Sequence, residues 1–155
     1  MPTARNSFAA CLTFCRSARN DQDFACRKSA ASGMKESAGA FPTHLLPPGT
    51  YPWRDIGPDH AIYRTMFPLT ALPQIPSIQF WRQTGGESSE RGNDSAVPHL
   101  RGITDAAGRL MVLATHNTDI SDAWEREGED PEYFYTYSPN GYATAINIML
   151  YAMSH

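Results

Sequence analysis

Apolar and polar positions alternate most regularly at the C-terminal end of the chain. Ala145, Ile146, Met149, Leu150 and Met153 recur at helical spacing, which predicts a closing helix with one buried stripe. Ser138-Pro139 just ahead of them fits an N-cap followed by proline at the first helical position. Upstream, His99–Thr104 and Arg109–Thr115 read as two strands joined by the turn Asp105-Ala106-Ala107-Gly108. The second strand is nearly all apolar, which suits a position covered on both faces. Earlier elements are weaker. Asp59 is placed to cap a short helix over His60–Phe67, with Ile62, Tyr63, Met66 and Phe67 on one face. LPQIPS, Leu72–Ser77, is too rich in proline to sit inside a sheet, whereas Ile78–Trp81 reads as a short strand. Gln83–Ala96 has the glycine-rich polar composition of a surface loop, and Phe41–Gly57 that of an extended, turning segment. Together these elements predict a layered α/β domain. No internal repeat is visible.

Composition divides the chain near residue 40. Residues 1–40 hold all three cysteines (Cys11, Cys15, Cys26) and both lysines, with six basic against three acidic side chains. Residues 41–155 hold seven basic side chains, all arginine, against thirteen acidic ones. The first segment reads as foreign to the rest and weakly ordered, with one short helix near Asp23–Lys28; a frameshift or a wrong start would account for it. Its cysteine spacing matches no zinc motif. Phe8–Cys15 is a short apolar run that faintly suggests a secretory core, but no small-residue cleavage site follows. A net charge of -3 without basic patches argues against nucleic acid as a partner. No apolar run approaches the roughly 18 residues of a membrane span.

Candidate chemistry concentrates in THNTDISDAWERE, Thr115–Glu127, directly after the apolar strand. In open α/β sheets, ligands gather where strands end. If Asp119 onward is helical, Asp119, Asp122 and Glu125 stand three apart and, with His116, would hold a divalent cation or serve a hydrolytic reaction. The competing reading is structural and ranks first. Asp122-x-x-Glu125 outlines a capping box, Asn117 and Asp119 suit a turn, and Trp124 packs inward. His99 and Arg101 alternate along one strand and so face the same side, where they would bind an anion or simply meet solvent. Gly85-Gly86 with Glu87, Glu90 and Arg91 lacks the ending of a phosphate loop. Tyr133, Phe134, Tyr135 and Tyr137 form an aromatic cluster, read as packing ahead of sugar stacking.

Four blocks in order, DHAIYRTMF, LPQIPSIQFW, GRLMVLATHNTDISDAWE and GYATAINIMLYAMSH, resemble the C-terminal half of the bacterial family called domain of unknown function 4159, over about Leu46 to His155. The resemblance implies a partial flavodoxin-like, class I glutamine amidotransferase-like three-layer sandwich. On that resemblance its N-terminal strands, including a Gly-Gly…Asp-Asp strand end, are expected to be missing, with residues 41–155 as the C-terminal portion of the domain. It also implies an export signal or anchor, hence the cell envelope or periplasm. Residues 41–155 contain no cysteine, so the nucleophile of glutaminase chemistry is lacking there. The expected function is a non-catalytic module binding a small molecule or a protein, with His99, Arg101, Asn117 and Trp124 as ligand contacts. The alternative is a hydrolase or metal-dependent enzyme using His116, Asp119, Asp122 and Glu125. No resident cofactor is implied beyond that divalent cation.

Overall fold

Two strands in the second half of the chain set the architecture. The computed structural model describes residues 11–14 and 49–155. In chain order it contains β1 (Cys11–Phe14), β2 (Arg54–Asp55), a 3-10 turn (Ala61–Arg64), α1 (Ile78–Thr84) and a second 3-10 turn (Gly92–Ser95). β3 (His99–Thr104), β4 (Leu110–His116), the short α2 (Asp122–Glu125), a third 3-10 turn (Glu127–Glu129) and α3 (Pro131–Ser154) follow. The hairpin β3–β4 forms as the pattern predicts. Asp105 shapes its turn, because Oδ1 accepts from the N–H groups of Ala107 and Arg109, and Gly108 takes a φ of 82°, which glycine adopts without strain. The sheet order is β1-β4-β3-β2. β2, β3 and β4 are antiparallel, and β1 joins the far side of β4 in parallel. The fold class is α/β. β1 falls inside the segment read as weakly ordered; the helix expected near Asp23–Lys28 lies outside the described residues.

Side-chain alternation gives the sheet two different faces. Leu100 and Leu110 join Ile62, Tyr63, Leu72, Ile75, Ile78, Ile120, Ala123, Tyr133 and Ile148 in one core. Leu110 reaches that face because the register steps from Ile103↔Val112 to Thr104↔Leu110, an irregularity that skips Met111. A Cβ on Gly102 would lie 2.7 Å from both Ile56 Cδ1 and Leu110 Cδ2, so the core closes tightly over that glycine. On the opposite face Ile103, Val112 and Ala114 are buried as well. β4 is covered on both sides, as its apolar composition requires.

Three local expectations are corrected. Ile78–Trp81 is helical, the start of α1. Ser77 Oγ accepts from Phe80 N–H, and Gly85 closes the helix at a φ of 73° while donating to Trp81 O. The Ser start and Gly stop outweigh the β-prone residues between them. The second correction concerns the turn after Asp59. Helical structure covers only Ala61–Arg64, and His60 rather than Asp59 caps it, Nδ1 accepting from Ile62 N–H. Ile62 and Tyr63 are buried, but Met66 and Phe67 are exposed.

The third correction concerns α3. It starts at Asp130-Pro131, where Asp130 Oδ1 accepts from the N–H groups of Glu132 and Tyr133. Pro139 therefore lies inside the helix, and Ser138 is fully buried. The buried face is Tyr133, Ser138, Gly141, Thr144, Asn147 and Ile148. It is not the stripe Ala145, Ile146, Met149, Leu150 and Met153, of which Met149 and Met153 are exposed. Among the inward polar residues, Asn147 has partners in another segment that fix the choice. Asn147 Oδ1 accepts from the N–H groups of Met66 and Phe67, and Nδ2 donates to Phe67 O. Gly141 lies so close to Ala123 that any Cβ there would collide with it.

Candidate functional site

Pro73 to Ser77 runs beside the end of β4 into α1, outside any helix or strand. Pro73 and Pro76 have no N–H to donate, yet the remaining backbone groups need partners once buried. The polar stretch supplies them. Thr118 Oγ1 accepts from Ile75 N–H at 3.0 Å and donates to Pro73 O at 2.8 Å. Asp119 N–H donates to Ile75 O at 2.8 Å. Asp122, buried, accepts from Ile78 N–H through Oδ2 at 2.9 Å. Glu90 Oε1 accepts from Ser77 N–H at 2.8 Å, and the Tyr133 hydroxyl donates to Pro76 O at 2.7 Å. Burial pushes the Tyr133 phenol up, with the carboxylates of Asp122 and Asp119 adding to the effect.

Asn117 is the corner of this arrangement. Its φ of 61° is left-handed, a conformation that asparagine tolerates better than most residues. Its carbonyl accepts from Gln74 Nε2 at 2.7 Å, Oδ1 accepts from Arg91 at 2.7 Å, and Nδ2 donates to Val97 O at 3.0 Å. Through Glu90 and Arg91 the connection from α1 to β3 is fastened to this corner, and Ser95 inside it is buried.

These contacts settle where the sequence candidates stand. The helix begins at Asp122 rather than Asp119, and its N-cap Ser121 makes no side-chain cap bond, so the capping box does not form. Asp122 turns inward to the first N–H of α1, a different helix. Glu125 is exposed. Asp119 Oδ1 accepts from Ser121 Oγ at 2.8 Å. Trp124 packs half-buried against the core. Among the described residues no group of three His, Cys, Asp or Glu is arranged to hold a metal ion. His116 belongs elsewhere: it is the cross-strand partner of His99, their rings 6.0 Å apart.

That pairing builds a second cluster, on the sheet face away from the main core. Arg101 pairs with Asp55 of β2 and lies on the same side of β3 as His99. Arg101 Nε meets Asp55 Oδ1 at 3.0 Å, and His99 Nδ1 stands 3.5 Å from Asp55 Oδ2. Asp55, Arg101, His99 and His116 thus form a line across three strands. Arg101 is 18% exposed and Asp55 58%, so the guanidinium is largely sheltered while the carboxylate faces solvent. The same-side placement of His99 and Arg101 was legible from alternation. Asp55, Gln74, Glu90, Thr118 and the Tyr133 hydroxyl carried no sequence signal, because their partners lie far along the chain.

Fold and sites define an α/β domain whose acidic strand-end loop is fastened to backbone and whose sheet carries a histidine–arginine line. The chain belongs to the family described as domain of unknown function (DUF4159), whose sequence model matches residues 28–153. Neither the search of curated proteins nor that of solved structures finds a match.

Proposed function

We propose that this chain is a binding module, related to the C-terminal part of a flavodoxin-like or amidotransferase-like sandwich, that takes a small carboxylate- or phosphate-bearing ligand at Arg101, His99 and His116. One observation carries the reading: the exposed carboxylate of Asp55 lies against Arg101 and His99 and marks where an anionic group would sit. The engagement of Asp122 and Thr118 with backbone groups favours this over hydrolysis at the strand-end loop, since a carboxylate fixed to an N–H is poorly placed as a base.

The test is an NMR titration of the histidine ring signals with inorganic phosphate and, separately, acetate. His99 and His116 should shift saturably, and Arg101→Ala should abolish the response. Asp55→Asn should tighten binding by roughly tenfold, by removing the internal competitor. Silent His99 and His116 signals, or an Arg101→Ala response equal to that of the parent, would end the proposal.

A further inference from the structure

The histidine–arginine line constrains the charge of whatever replaces Asp55 there. Asp55 sets one negative charge against the permanent positive charge of Arg101, Oδ1 lying 3.0 Å from Nε. His99 Nδ1 stands 3.5 Å from the other oxygen of the same carboxylate. The His116 ring lies beside that of His99, centroids 6.0 Å apart. An imidazole ordinarily titrates at roughly 6.5 and is mostly neutral above that. Among the described residues, the charged and titratable groups of this face come from three strands: Asp55 from β2, His99 and Arg101 from β3, His116 from β4. β1, on the other side of β4, brings no charged residue. Its one titratable residue, Cys11, is in register with Val112, well down β4 from His116. Ile103, Val112 and Ala114 are buried on the same face, and an unbalanced charge beside such apolar surroundings is costly.

We infer, on the reading of this cluster as an anion site, that its ligand carries a dianionic phosphoryl group and is taken up together with one proton, which the His99–His116 pair holds. Charge balance requires the proton. A carboxylate replaces Asp55 at Arg101 one charge for one and calls for no change of protonation. A dianion brings a second negative charge to the same place, and a proton on His99 or His116 offsets it. Two protonated rings at this separation, beside Arg101, would repel each other, so the pair takes one proton rather than two. Proton and dianion then favour each other's binding by the same factor. The placement of the cations suits a phosphoryl group as well. Arg101 and His99 alternate along β3 and His116 lies across from His99, so the three stand at the corners of a triangle. Three phosphoryl oxygens match three corners, whereas a carboxylate has two oxygens to offer.

Calorimetric titration of the full chain with sulfate, which stays a dianion near neutral pH, tests this. Run at about pH 7.5 in buffers of different ionisation heat, it counts the protons exchanged. About one should be taken up per sulfate, and because lower pH supplies that proton, sulfate affinity should rise roughly tenfold from about pH 8 to about pH 7. Acetate should take up none and keep its affinity over the same interval. In NMR spectra at about pH 7.5, the ring signals of His99 or His116 should move to the protonated position with sulfate and not with acetate. His99→Gln combined with His116→Gln should lose the uptake. Sulfate binding that needs Arg101 but takes up no proton would overturn the inference and leave the anion site standing, and so would uptake that survives the double variant. Failure of both anions to bind would remove the two together.

Discussion

Asp122 carries the contrast between a reactive and a structural carboxylate. It is buried, and its oxygen lies 2.9 Å from the first N–H of a helix remote in sequence. Such a donor left without its acceptor costs about 1–3 kcal/mol. Asp122→Ala should therefore lower unfolding free energy by about 2–3 kcal/mol in urea melts. Asp122→Asn, which keeps an oxygen acceptor, should lose about half as much. Equal losses would show that charge rather than the hydrogen bond matters. The sequence shows an acidic residue after a strand, which fits an ion ligand, a cap or a base equally well. Only the arrival of Ile78 beside it decides.

Elements differ in how much their own residues reveal. The β3–β4 hairpin is local: alternation, an Asp that bonds the turn and a glycine with positive φ all lie within a short stretch. α3 is harder, because its strongest apolar stripe is not its buried one. Thr144 and Asn147 look like surface residues until Met66 and Phe67 supply their backbone to Asn147. The start expected at Ser138-Pro139 lies well inside the helix, which enters at Asp130-Pro131 instead. Continuing through Pro139 deprives the carbonyl of Tyr135 of its helical donor. Pro139→Ala restores that donor. It should raise unfolding free energy by about 1–3 kcal/mol, measured by thermal or urea melts. A loss would indicate that the fixed φ of proline is needed to seat the second half of α3.

For the molecule as a whole, the join between the 3-10 turn and the end of α3 sets a pH limit. His60 packs its ring 5.1 Å from Tyr151, which stacks on His155 at 4.2 Å. Burial holds the His60 imidazole below its ordinary value; Asp59 opposes this, and Arg64 and His155 reinforce it. Its Nδ1 must also stay unprotonated to accept from Ile62 N–H. A depressed imidazole leaves stability intact above the unfolded value and removes it as pH falls through that value toward the folded one. Stability should thus decline as pH falls from neutral through the ordinary imidazole value of roughly 6.5. His60→Asn keeps a capping acceptor without a titrating ring and should flatten that decline in urea melts taken across this range. An unchanged slope would assign the acid sensitivity to other groups.

The fastening of Pro73–Ile78 also has a kinetic meaning. Its partners Thr118, Asp122 and Tyr133 lie 43 to 57 residues away. The segment can close early on Glu90, 13 residues from Ser77; its bonds to those three wait on the closure of long loops. It can lock only after the hairpin has delivered the strand-end loop and α3 has brought up Tyr133, which makes it a late event in folding and a gauge of when the native topology is complete.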